Sequence, residues 1–137
     1  MASKPYARPL SPHLGIWRWG PHMLVSIVHR ACGVALSVGL ALMVWWLAAL
    51  AGGEKSYARF VDVFTLSGGG LNVIGYIVGI GLTLALFQHM ASGVRHFVLD
   101  IGAGYELRKG KQSAMATLVF SPLATIAFWA WLLAGKF

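Results

Sequence analysis

Three stretches without a formal charge, residues 31–53, 63–94 and 112–135, constrain this 137-residue chain more than any other feature. A spanning helix needs about 20 mostly apolar residues to cross about 30 Å of hydrocarbon, and each stretch is long enough. Only 11% of the residues are charged, against roughly 25% in an average soluble domain. Mean hydropathy is +0.70. These values exclude a water-soluble globule and predict an all-α integral membrane protein with three transmembrane helices.

The helices are expected over about residues 21–51, 71–99 and 113–134 of a single membrane-anchor domain, residues 1–137. Residues 1–20 carry Pro5, Pro9 and Pro12, which break regular helix and predict an arm lying on the membrane surface. The connection at residues 66–71, rich in glycine, reads as flexible, and residues 102–110 read as a polar turn. Pro122 falls inside the third helix and should bend it without ending it. No internal repeat or compact apolar targeting segment is visible, which favours a bacterial inner-membrane product over an organelle import precursor. The single cysteine, Cys32, permits no internal disulfide and reads as a small buried side chain.

Formal net charge is +7, but the cations are dispersed among the ends of apolar segments, a topology pattern rather than a nucleic-acid surface. The arm through Arg30 carries four Lys and Arg, residues 95–111 carry four, the first connection two and the tail one. Eight against three places the N-terminus on the cytoplasmic side. Trp17 and Trp19 before the first helix, Trp45 and Trp46 at its end, and Trp129 and Trp131 closing the third mark the two interfaces as aromatic belts do. Gly33, Ser37 and Ala41 on the first helix, and Gly75 and Gly79 on the second, form small-xxx-small patterns where helix contacts are expected.

Ionisable groups inside a membrane helix cost several kcal/mol unless partnered, so they are candidates for function. Ser26, His29 and Arg30 lie near the inner end of the first helix; His89, Arg95, His96 and Asp100 lie near the inner end of the second. At 100° per residue Ser26 and Arg30 share a stripe and His29 projects about 60° to its side. A hydroxyl beside a guanidinium can hydrogen-bond a quinone oxygen and stabilise the negative charge that develops on it; the same arginine could equally snorkel as a topology anchor. His89, Gly93, His96 and Asp100 form a second stripe. His89 lies roughly 9 Å deeper than Arg95 by helical rise, and its imidazole suits either an axial bond to haem iron or a hydrogen bond to a neighbouring helix. Gly93 would let a flat macrocycle approach the backbone. His96, beside Arg95 at the polar boundary, is the poorer ligand.

Taken together, Arg8-Pro-Leu-Ser-Pro-His13, Ser26-x2-His29-Arg30-x2-Gly33 and His89-x3-Gly93-x-Arg95-His96-x3-Asp100 resemble the cytochrome b subunits of succinate dehydrogenase, the larger of two membrane anchors in respiratory complex II. The resemblance implies that His89 is a haem b ligand, with the opposite axial histidine on a companion anchor subunit. It implies that Ser26 and Arg30 line a ubiquinone pocket and that His29 lies near a haem propionate. The chain would then be part of a larger helical bundle, lying in lipid and docked to an iron–sulfur subunit and, through it, a flavoprotein. FAD and the iron–sulfur clusters would reside on those partners, because this chain has no GxGxxG motif and its one cysteine cannot hold a cluster. The arm departs from the pattern at residues 15–19.

Three rivals stay open: the anchor of a fumarate reductase working with menaquinone, a haemless anchor, and a small oligomeric channel using Arg30 and His89 along a pore. Quinone reduction also consumes two protons, and the shared stripe of His96 and Asp100 offers a route for them; a boundary cluster of Asp100, Arg95 and His96 that sets helix depth is the simpler alternative. If the route is real, an Asp100→Asn variant with normal haem content turns over more slowly. Unchanged turnover argues against it.

Overall fold

The computed structural model describes residues 18–135, a chain of four helices: α1 (Pro21–Ala51), α2 (Glu54–Phe64), α3 (Val73–Asp100) and α4 (Leu107–Ala134). Of the expected surface arm only residues 18–20 are described; the rest of it, with Trp17, lies outside the described residues. α1, α3 and α4 are each long and apolar enough to cross a membrane, as the charge-free stretches predict. α1 starts on Pro21, whose fixed φ and missing N–H suit the first helical turn.

The three spans run up, down and up. The start of α1 meets the end of α3, where His29 touches His89 and His96. The start of α3 meets the end of α4, where Gly79 lies against Trp129. α3 is therefore the central helix, packed against α1 on one side and α4 on the other.

The spans outrun the hydrocarbon. α4 begins at Leu107 rather than at residue 113, so that Arg108, Lys109 and Lys111 occupy its first two turns. Its 28 residues extend about 42 Å at 1.5 Å each, against about 30 Å of apolar core. The cations mark where the hydrocarbon ends and not where the helix does.

A second difference is α2, which falls in the segment expected as a plain connection. Gly53, at φ 85°, turns the chain out of α1 in a conformation that side-chain-bearing residues avoid. Tyr57, Phe60, Val61 and Phe64 then recur at i, i+3, i+4 and i+7, an apolar face opposite Lys55, Arg59 and Asp62. Phe60 and Phe64 meet the ring of Trp45 with centroids 4.8 and 6.2 Å apart. The following connection is not loose, despite its glycines. Leu66 N–H bonds Gly70 C=O at 2.7 Å, and Asn72 N–H bonds Phe64 C=O at 2.9 Å. Asn72 Oδ1 also caps α3 by accepting from Gly75 N–H at 2.8 Å.

The interior is built from small and polar side chains. Ala85, Ala114, Ser92, Ser121, Thr117, Thr125 and Gln88 are buried, while most large apolar residues face outward, the distribution expected where lipid is the solvent and close backbone approach supplies the packing. The hydroxyls of Ser121 and Thr125 bond the carbonyls four residues earlier, each at 2.8 Å, so they enter the interface without an unsatisfied donor. α4 continues through Pro122 without interruption. Of the expected small-residue stripe on α1, Gly33 lies against α3, whereas Ser37 and Ala41 are exposed; the α1–α3 contact tracks away from them through Gly39, which faces Leu82. Gly75 meets the backbone carbonyl of Phe64 and Gly79 meets Trp129.

A Cβ at Gly79 would stand 2.9 Å from the Trp129 ring, whereas one at Gly81 would meet nothing within 4 Å. Gly79→Ala therefore destabilises the purified protein by about 1–3 kcal/mol through overpacking, read as a lower melting temperature in detergent. Gly81→Ala leaves that temperature unchanged or raises it slightly.

Candidate functional site

The polar residues of α1 and α3 converge at one end of the bundle. His29, one third of the way along α1, is the hub. Its ring stacks on His89 with centroids 3.9 Å apart and planes 11° from parallel, and meets His96 edge-on at 5.2 Å. Its Nδ1 lies 2.7 Å from Ser92 Oγ. His89 Nδ1 in turn lies 3.2 Å from the backbone carbonyl of His29.

These contacts fix where the ring protons sit. A carbonyl can only accept, so the His89 Nδ1 donates, and in the neutral ring the lone pair then sits on Nε2. Ser92 Oγ gives its one hydrogen to Gln88 C=O at 2.6 Å and so accepts from His29 Nδ1–H. Neither ring's Nε2 makes a hydrogen bond among the described residues. Of the two expected uses of His89, the hydrogen bond to a neighbouring helix is made, and it is made by the nitrogen that a metal would not need.

Gly33 and Gly93 shape the space around this pair. Gly33 sits one turn beyond the His29 carbonyl, and a Cβ there would come 3.4 Å from His89 Cε1. The α1 surface at Gly33 thus lies directly against the imidazole, with a Cβ there just reaching contact distance. A Cβ at Gly93 would meet nothing within 4 Å, so the surface one turn from His89 is open to a flat group. Among the described residues no set of three or more His, Cys, Asp or Glu surrounds a metal-sized site. What His89 can offer a metal is therefore a single imidazole, as an iron already held by porphyrin nitrogens requires.

Ser26 and Arg30 lie on the same end of α1, Ser26 half-buried and Arg30 exposed. They are near in sequence to the histidine cluster without bonding to it or to each other among the described residues. In the long helices, Ser37, Thr83, Ser92, Ser113, Thr117, Ser121 and Thr125 all bond a carbonyl of the preceding turn. Ser26 does not, and its hydroxyl has no partner among the described residues. His96 and Asp100 are exposed. Arg95 bonds Ser113 Oγ at 3.0 Å and Gly110 C=O at 3.4 Å, so it faces α4, and the boundary cluster with Asp100 is not formed among the described residues.

Two members of the site were not singled out from the sequence. Ser92 is fully buried and Gln88 is 4% exposed, and Gln88 Nε2 has no hydrogen-bond partner among the described residues. Polar side chains at the centre of an apolar span were the available signal for both.

Comparison with known proteins identifies the family. The family model for the succinate dehydrogenase/fumarate reductase transmembrane subunit matches residues 4–128. The mitochondrial succinate dehydrogenase cytochrome b560 subunit of Sus scrofa is 34% identical over 119 residues, covering 87% of this chain and 68% of its own length. The succinate dehydrogenase cytochrome b556 subunit of Paracoccus denitrificans is 33% identical over 119 residues, with 87% of each chain covered. That of Rickettsia felis is 30% identical over 122 residues, covering 89% of this chain and 90% of its own. Three apolar spans, a histidine cluster at one end and a family match over most of the length lead to one conclusion: this chain belongs to the family of succinate dehydrogenase/fumarate reductase transmembrane subunits.

Proposed function

We propose that the chain is the haem b-binding anchor of a succinate:ubiquinone oxidoreductase, with His89 as one axial ligand and Ser26 and Arg30 at the quinone site. The observation that carries this reading is the hydrogen bond from His89 Nδ1 to the His29 carbonyl, which orients the ring and reserves Nε2 for iron in the way that outer partners of metal-bound histidines do. The relatives' names as cytochrome b subunits support the same assignment. When bound, haem b supplies a one-electron store beside the quinone.

The chain's own residues then have distinct tasks. His89 holds and orients. Gly93 clears the adjacent face. His29, fixed by Ser92, presents Nε2 at the same surface, and a propionate there would be held when that nitrogen also carries a proton. Ser26 donates its unspent hydroxyl to a quinone oxygen. Arg30, a permanent cation on the same stripe, stabilises the negative charge that the oxygen gains on reduction. His96 and Asp100, exposed at this end, pass protons from the aqueous side. We place that side, and the N-terminus, in the cytoplasm or its mitochondrial equivalent, because the cations concentrate there. A companion anchor would supply a second ligand to the haem, and succinate would be oxidised on flavin- and iron–sulfur-bearing partners.

Two substitutions separate these tasks. His89→Ala abolishes the b-type bands in the dithionite-reduced spectrum of the purified complex; retention of the bands would move the ligand elsewhere. Arg30→Ala keeps the bands but lowers quinone reductase turnover by roughly 10²-fold, the usual cost of losing a donor aimed at developing negative charge. Full activity in that variant would reduce Arg30 to a membrane anchor.

A further inference from the structure

Away from the histidine cluster, at the same cation-rich end, two cavities meet at Arg95, Leu99 and Gly104. The larger, about 310 Å³, lies between α3 and α4 and is walled by Val94, Val98 and Ala116 together with Arg95 and Lys109. The smaller, about 190 Å³, also borders Arg95. Arg95 is half-buried and its known partners, Ser113 Oγ and Gly110 C=O, are both neutral.

A guanidinium has five N–H donors. Two are engaged here, and the other three have no acceptor among the described residues. Its charge is uncompensated as well: the one ion pair among those residues joins Lys109 to Glu106 at 3.1 Å. Arg108 and Lys111, in the first turns of α4, add further positive charge. An unpaired cation at a membrane boundary is costly unless an anion meets it; apart from Ser113 and Thr117, whose hydroxyls donate to carbonyls of their own helix, the remaining side chains lining the larger cavity are apolar. The complementary molecule joins an anion to an apolar chain. Basic pockets between transmembrane helices take lipid headgroups for this reason.

We propose that Arg95 and Lys109 form a headgroup site for an anionic phospholipid, its phosphate taking the free guanidinium N–H groups and one acyl chain lying along Val94 and Val98. The site requires only that the chain spans a membrane and is independent of haem ligation. An acidic surface of another subunit could meet the same charges, but the apolar walls between the helices favour lipid.

The test uses the intact complex, stripped of lipid in mild detergent and offered equal amounts of phosphatidylglycerol and phosphatidylcholine, with retained lipid read by native mass spectrometry. The wild type retains phosphatidylglycerol preferentially. Arg95→Gln combined with Lys109→Gln lowers that retention about tenfold, as loss of a charge-assisted phosphate contact does. Val98→Trp, which fills the cavity and leaves both cations in place, lowers it too, with subunit content and haem spectrum unchanged, so the proposal stays decidable if the double variant fails to assemble. Lys55→Gln with Arg59→Gln, at the opposite end, has no effect. Equal retention of the two lipids, or undiminished retention in Val98→Trp, overturns the proposal. Release of other subunits with lipid retained would make this face a protein interface, and displacement of the lipid by inorganic phosphate alone would make it a free-anion site; either outcome also overturns it.

Discussion

The hydrogen bond from His89 Nδ1 to the His29 carbonyl crosses from α3 to α1 and sets the terms for the rest of the site. The carbonyl already belongs to the α1 backbone ladder, so the imidazole must reach its second lone pair past the next turn. Gly33 stands on that turn, directly against the ring. Once the bond is made, the ring's rotation, its tautomer and its separation from His29 follow together. The near-parallel stacking of the two imidazoles and the Ser92 contact behind His29 hold the same geometry from the other side. A histidine that would otherwise be one costly polar group in an apolar span becomes a donor to backbone on one nitrogen and a free base on the other.

The packing that surrounds it follows from lipid as solvent. With hydrocarbon on the outside there is no gain from burying large apolar side chains, so Ala, Gly, Ser and Thr occupy the interior and Leu, Ile, Val and Phe the exterior. Hydroxyls are tolerated in that interior because each spends its hydrogen on the preceding turn. The same rule makes the exceptions informative. Ser26 keeps its hydroxyl, Gln88 keeps an amide nitrogen without partner, and Arg95 keeps three N–H groups. Together with the buried Trp129 Nε1, these are groups of α1, α3 and α4 whose hydrogen bonding is not completed among the described residues. α1 is also the least covered of the three spans, leaving a long apolar face for lipid or for other helices.

The number, order and approximate extent of the spans were legible because charge is so expensive inside a bilayer that its absence marks a helix almost by itself. The same signal misled at α4, whose first two turns carry Arg108, Lys109 and Lys111 above the hydrocarbon, and at α2, where Lys55, Arg59 and Asp62 masked an apolar face made by Tyr57, Phe60, Val61 and Phe64. At the site, the convergence of His29, His89 and His96 was implicit in two stripes predicted at one membrane level. What could not be read was which nitrogen of each ring is occupied, since that depends on the angle and offset between α1 and α3. Ser92 and Gln88 were overlooked because a serine or glutamine declares its role only when the facing helix is known, and the Arg95–Ser113 contact depended on α4 starting early enough to reach it.

The most direct measurement is pulsed electron paramagnetic resonance on the oxidised complex with ¹⁵N-histidine confined to this chain. An axial bond from His89 predicts one strongly coupled ¹⁵N at the haem iron, lost when His89 alone is left unlabelled by its replacement. A spectrum with no coupled ¹⁵N, or one unaffected by that replacement, would contradict the assignment of His89 as the ligand.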